Sequence, residues 1–207
     1  IARNNVSCAN LKIIPGNIGK PRFLDEWRAV NKSTSVSTLV YCGTLSYSKG
    51  FHYVLQMLKI LKDKGYESIK LIVLGRIVQD DEMILLAQSM GVQSMIEFVG
   101  YVNPFEYFAK VDLFIYPSLY DSWPDVLLES LYAGCPVIGS ETGGIPELLE
   151  YPQLLFPPGD VVVMTAMVER MIQDTEYYQK IRSLCTNRVA PFEFDWIEKY
   201  EGVMCER

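Results

Sequence analysis

LVYCGTLSYSKGFHYVLQMLKILKDKGYESIKLIVLG, residues 39–75, holds two runs that are apolar throughout, LVYCG and IKLIVLG, with a segment of different period between them. In FHYVLQMLKILKDKG, Phe51, Val54, Leu55, Leu58 and Leu61 recur at helical spacing and Gly65 supplies the stop. The unit is strand, loop, helix, strand, and it repeats downstream. DDEMILLAQSMG at 80–91 predicts a helix closed by Gly91, and MIEFVG at 95–100 a strand. Asn103, Pro104 and Glu106 then supply the N-cap, first-turn proline and third-position acid of a short helix. VDLFIYPS at 111–118 predicts a strand, residues 123–133 a helix stopped by Gly134, CPVIG at 135–139 a strand, and residues 144–147 the opening of a short helix. Strands that are apolar on both faces belong to a sheet covered on both sides. The expected fold class is therefore α/β, a Rossmann-like doubly wound parallel sheet of roughly six strands. Such sheets bind ligands beyond the carboxyl ends of their strands, which sends the loops after Gly43, Gly75, Gly100, Ser118 and Gly139 to one crevice.

With 207 residues, 49% of them hydrophobic, the chain can bury one sizeable core. A net charge of -6 argues against a broad footprint on nucleic acid, so an anionic ligand has to be held locally. Cys8, Cys42, Cys135, Cys185 and Cys205 form an odd, widely spaced set without a C-x-x-C pair. Neither a disulfide framework nor a zinc site is expected. No apolar run approaches the ~18 to 20 residues of a membrane span, and the first ten residues lack a signal-peptide pattern, so a cytoplasmic setting is expected. LKIIPGNIG at 11–19 is a lone strand and turn, which makes residues 1–38 a lead-in connection and 39–190 the sheet domain. The tail after Asp160 is helical, and its end, 191–207, is expected to be a helix. Its Phe194, Trp196, Ile197 and Tyr200 form a cluster too aromatic for a solvated face, expected to pack on a domain absent from this chain.

The residues with chemical potential are densest in PSLYDSWPDVLLESLYAGCPVIGSETGGIPELL, 117–149. Asp121 precedes a helix and Glu129 lies two turns inside it, about 10 Å away along the axis. Between them, Ser122, Trp123, Pro124, Asp125, Val126 and Leu127 form a helix start, whose free N–H groups and dipole suit a phosphate. A ligand with hydroxyls at both ends and a diphosphate in the middle fits this layout, and a nucleotide sugar has that shape. The same residues also make an ordinary helix start followed by a solvated glutamate, and both readings stand at this point. The setting of Glu129 in VLLESL, where a charge needs a partner, favours the site.

This stretch resembles glycosyltransferase family 4, retaining enzymes of two Rossmann-like domains (the GT-B fold) whose carboxyl-terminal half carries a Glu-x7-Glu motif. The match falls on Pro117, Ser118, Glu129, Gly134, Pro136, Val137, Ile138, Gly143, Gly144 and Glu147, and WPDVLLE at 123–129 is similar to members with FPNVLLE. The resemblance implies that Asp121 stands for the family's first glutamate, which contacts the donor sugar, and that Glu129 is the second, which binds the ribose hydroxyls. GTLSYSKG at 43–50 resembles the family's G-R-L-x-x-x-K-G loop, whose arginine and lysine grip the donor diphosphate. Lys49 is retained, but Thr44 takes the arginine position, a loss of about 1.5 to 3 kcal/mol for a charged hydrogen bond. Arg76, after Gly75 where the family has G-x-G, is a candidate replacement. Tyr101 and Val102 fall in the segment that meets the nucleotide base.

The resemblance implies the donor-binding domain of an enzyme that moves a sugar from a nucleoside-diphosphate sugar to a hydroxyl acceptor, with Lys49, Asp121 and Glu129 as its catalytic set. No metal and no cofactor are expected. The acceptor, a glycan, lipid or other hydroxyl compound, would be held by the absent amino-terminal domain. The isolated domain is then expected to be inactive alone, and any peripheral docking at a membrane belongs to the absent half. The alternatives are a nucleotide-sugar-binding protein with weakened or lost activity, motivated by Thr44, and a nucleotide-sugar epimerase on the same fold. A nicotinamide dehydrogenase is disfavoured, because no G-x-G-x-x-G follows the first strand. His52, the single histidine, is expected to be structural.

Overall fold

The computed structural model describes residues 33–76 and 81–192. The strand expected at 11–19 and the aromatic helix expected at 191–207 lie outside the described residues, apart from residues 191 and 192, which belong to a short 3-10 turn at Ala190–Phe192. Within them the chain alternates as expected: β1 (Thr38–Cys42), α1 (Phe51–Asp63), β2 (Lys70–Leu74), α2 (Glu82–Ser89), β3 (Ile96–Gly100), α3 (Phe105–Phe108), β4 (Leu113–Tyr116), α4 (Asp125–Tyr132), β5 (Val137–Ser140) and α5 (Ile145–Leu149). Then come β6 (Leu155–Phe156), α6 (Val161–Gln173) and α7 (Thr175–Asn187). Every strand pairing is parallel, and the order is β3-β2-β1-β4-β5-β6. The sequence does not announce β6, because two residues carry no periodicity; it exists through its ladder to Gly139 and Ser140.

The core follows from the apolar pattern. Leu39, Val40, Leu113, Phe114 and Ile115 in the two central strands are fully buried, as are all five periodic residues of α1. Each such side chain contributes about 1.5 to 3 kcal/mol by leaving water. The edges of the core are tied by polar groups. The buried Asp112 carboxylate accepts from Ser37 N (2.8 Å), Ser37 Oγ (2.9 Å) and Thr38 N (2.8 Å), which fixes the entry of β1 beside β4. Asn103 Oδ1 accepts from Phe105 N at 3.2 Å, which starts α3 as its sequence suggests. Among the described residues no helix is long and apolar enough to cross a membrane.

In this strand order β1 has β2 on one side and β4 on the other, so the connections leave it in opposite directions. A crevice opens at such a switch point, beyond the carboxyl ends of the strands.

Candidate functional site

β1 ends at Cys42, and the loop that follows carries Lys49 to the start of α1. Gly50 sits there in the left-handed region, φ 72°, and a Cβ on it would lie 2.0 Å from the Pro117 carbonyl oxygen. Leu119 N also donates to Ser48 O at 3.0 Å. The loops after β1 and β4 are thus pressed backbone to backbone, and Lys49 is delivered to Asp121, 72 residues away in sequence. Lys49 Nζ donates to Asp121 Oδ2 at 2.6 Å, and Tyr116 Oη donates to the same oxygen at 2.7 Å. Asp121 Oδ1 accepts from Trp123 N at 3.3 Å. Burial of this carboxyl pushes its pKa up, but the hydrogen bonds from Lys49 and Tyr116 and the Lys49 charge outweigh that. The net direction is down, and Asp121 is ionised. The paired glycines after β5 hold the same loop from behind: a Cβ on Gly143 would meet Asp121 O at 1.9 Å.

An open cavity of about 430 Å³ lies at the switch point. Of the residues expected from the sequence, Gly43, Thr44, Lys49, Gly75, Arg76, Tyr101, Val102, Val126 and Glu129 line it. Tyr41, Cys42, Leu74, Pro104 and Tyr116 line it as well and were not expected. Cys42, Leu74 and Tyr116 are the last residues of β1, β2 and β4, so the rule that ligands sit beyond strand ends already pointed at them.

The wall is electrostatically divided. Lys49 and Arg76 are its cations, and Arg76 makes no ion pair among the described residues. Val126 marks the first turn of α4, whose cap, Pro124, supplies no side-chain acceptor; Leu127 N donates to Pro124 O at 3.0 Å, which leaves the Asp125 and Val126 N–H groups without an acceptor among the described residues. Glu129 faces the same cavity, and no described group hydrogen-bonds its carboxylate. Burial raises its pKa, and the charge of Asp125 adds to the effect. Burial and the Glu129 carboxylate push the Cys42 thiol up to about 12, so it stays neutral. Tyr101 stands at the rim, 93% exposed.

The remaining expected residues do not reach the wall. Asp121 is held by Lys49 and Tyr116, two residues of the wall. Leu127 is fully buried in the core, Pro124 is buried, and Ser122 and Asp125 are exposed. Trp123 turns to Phe192, with ring centroids 6.3 Å apart. The helical period explains the division: residues 126 and 129, three apart, share the cavity face, while 127, 128 and 131 share the core face. His52 lies between the rings of Tyr47 and Tyr53, at 4.7 and 3.8 Å, away from the cavity wall. Among the described residues no three His, Cys, Asp or Glu side chains are grouped to hold a metal ion, and Cys42, Cys135 and Cys185 are free thiols.

Comparison with known proteins gives the same picture at family level. The model of the family described as glycosyl transferases group 1 matches residues 25–185. The glycogen synthase of Mycobacterium tuberculosis is 28% identical over 193 residues, covering 91% of this chain and 46% of its own length. Sucrose-phosphate synthase from Thermosynechococcus elongatus superposes with a TM-score of 0.72 at 20% identity, over 95% of this chain and 53% of that one. Anabaena HepE in complex with UDP-glucose superposes with a TM-score of 0.68 at 21% identity, over 82% of this chain and 48% of that one. These two likenesses establish the shared fold. The chain spans about half the length of the proteins it matches.

Proposed function

This chain belongs to the glycosyl transferases group 1 family, and from that premise we propose that it is the donor-binding domain of a retaining glycosyltransferase. The observation that carries this reading is the convergence of three features on one cavity: Lys49, the start of α4 with no side-chain cap, and the Glu129 carboxylate, unpartnered among the described residues. A nucleotide sugar needs this set. Its diphosphate is met by Lys49, by the α4 dipole and by Arg76, its ribose hydroxyls by Glu129, and its base by the exposed Tyr101 with Val102. The UDP-glucose complex of the structurally similar Anabaena protein supports a ligand of this class.

In the reaction, the bond from the anomeric carbon to the diphosphate oxygen breaks and a bond from that carbon to the acceptor hydroxyl oxygen forms. The hydroxyl proton is released and the nucleoside diphosphate departs. Negative charge grows on the leaving oxygen, where Lys49 and the oriented N–H groups of α4 are already in place. Asp121, paired with Lys49, orders the sugar end of the site. No metal ion is required in this reading, so donor affinity should be unchanged by a chelator. The acceptor would be bound by a further domain, in the length that the relatives have beyond this chain.

Titration calorimetry with UDP-glucose, GDP-mannose and ADP-glucose tests the proposal. Saturable binding of one of them, lost in Glu129→Ala, supports it. Absence of binding by a chain shown to be folded refutes it. A second reading, binding without transfer, is favoured by Thr44, which lines the cavity where the family carries a cation. Turnover of the donor by the longer protein would exclude that reading.

A further inference from the structure

The Asp121 carboxylate has one place left for a ligand. Of its about four lone pairs, Lys49 Nζ and Tyr116 Oη take two on Oδ2, at 2.6 and 2.7 Å, and Trp123 N takes one on Oδ1, at 3.3 Å. The open position is therefore on Oδ1, the oxygen that the main chain of Trp123 holds. At 3.3 Å this bond sits at the long limit of N–H···O contacts, so a small shift of Trp123 releases it. Trp123 is placed by packing and not by its own polar group: Nε1 is buried and has no hydrogen-bond partner among the described residues. The indole lies against the backbone of Gly144, where an added Cβ would come within 3.3 Å of Cε3. The ring of Phe192 meets it edge-on, at 6.3 Å and 69°. Phe192 is itself fixed, being 3% exposed with its carbonyl accepting from the buried Tyr132 Oη at 2.8 Å.

We infer that Phe192, in the turn after α7 and far from the site in sequence, is a positioning residue for the donor sugar, acting through Trp123 on the Asp121 carboxylate. The inference rests on the donor-site reading above. In the donor complex a sugar hydroxyl donates to the open lone pair of Asp121 Oδ1. The nucleotide meets other groups, Lys49 and Glu129 among them, so a displaced indole costs the sugar contact first. The packing of the turn after α7 thus reaches the sugar end of the cavity through two rings and one backbone N–H.

The experiment measures, by titration calorimetry, the affinity of each variant for UDP, GDP and ADP and for UDP-glucose, GDP-mannose and ADP-glucose, with a thermal melt to check folding. Phe192→Ala opens space beside the indole and should lower the ratio of nucleotide-sugar to nucleotide affinity about two- to tenfold, the worth of one hydrogen bond. Trp123→Leu, which removes the indole and leaves Phe192 in place, should give the same loss. Phe192→Leu refills most of the space and should restore the ratio to within about twofold of the wild type. Arg188→Ala is the control for stability alone. It strips the guanidinium that lies 4.7 Å from the Phe192 ring centroid but leaves the Trp123 contact, so the melting temperature should fall with the ratio unchanged. In an Asp121→Ala background, Phe192→Ala should lower the ratio no further, the signature of action through that carboxylate. An unchanged ratio in folded Phe192→Ala or Trp123→Leu, an equal fall in Arg188→Ala, or a loss that persists without the Asp121 carboxylate overturns the inference and leaves the donor site standing. Failure of the folded wild-type chain to bind any of the six probes overturns the donor site and this inference with it.

Discussion

Lys49→Ala separates a binding lysine from a structural one, because the two roles differ in size. In the fold, Lys49 pairs with Asp121 at 2.6 Å, with the side chains 36% and 17% exposed. A pair this open to solvent contributes up to about 1 kcal/mol, and in a domain of this size that moves the melting temperature by about 2 to 4 °C. Its charged hydrogen bond to a diphosphate is worth about 1.5 to 3 kcal/mol, because both partners are ionised. That corresponds to roughly a 10- to 150-fold loss of affinity. Calorimetric titration of the binding nucleotide, run beside scanning calorimetry of each variant, reads both quantities. The expected outcome is a large loss of affinity with a small change in melting temperature. Asp121→Asn approaches the pair from the other end: Lys49 is released from its carboxylate, and affinity for the free nucleoside diphosphate should rise. A melting temperature lowered by more than about 8 °C with nucleotide affinity unaltered would refute the reasoning and make Lys49 a structural residue.

Glu129 gives the pH dependence. Its pKa in the fold is raised above the ordinary 4.5 by burial, so its ionised form destabilises the fold, and that cost sets in as pH rises through the raised value. A ribose hydroxyl donates to the ionised form, so donor affinity should fall as pH drops from neutral towards 4.5, and Glu129→Gln should flatten the profile. Thr44→Arg places a guanidinium on the cavity wall and should tighten nucleotide binding roughly 10- to 150-fold; an unchanged affinity in the titration would show that Arg76 already fills the role. Arg188 closes α5 by donating to Leu148 O (2.8 Å) and Glu147 O (2.6 Å) and pairs with Glu150 at 2.9 Å. Arg188→Ala should cost about 2 to 4 kcal/mol, a drop of about 5 to 15 °C in melting temperature, with donor affinity retained.

The fold was legible because its signals are local. Five of the six strands and the helices between them follow from runs and spacings that a short window contains, such as LVYCG and the Phe51 to Leu61 periodicity. The sixth strand was not legible, since two residues owe their conformation entirely to pairing with β5. Part of the cavity was legible too. Glycines and a lysine after a strand, and a helix start after another, are chemistry that the order of residues displays, and Thr44, Lys49, Arg76, Tyr101 and Glu129 all stand at the wall. The ladder of residues from Ser122 to Leu127 was read too broadly, because a linear motif does not show which side of its helix meets the ligand.

The sequence by itself determined the layer architecture, the end of the sheet that carries the site, and the residue types available there, all consequences of hydrophobic period and strand order. Tertiary structure alone decided that Lys49 and Tyr116 share one oxygen of Asp121. That juxtaposition depends on Gly50 lying against Pro117 and Gly143 against Asp121, contacts between segments far apart in the chain, where a single Cβ would force the loops apart.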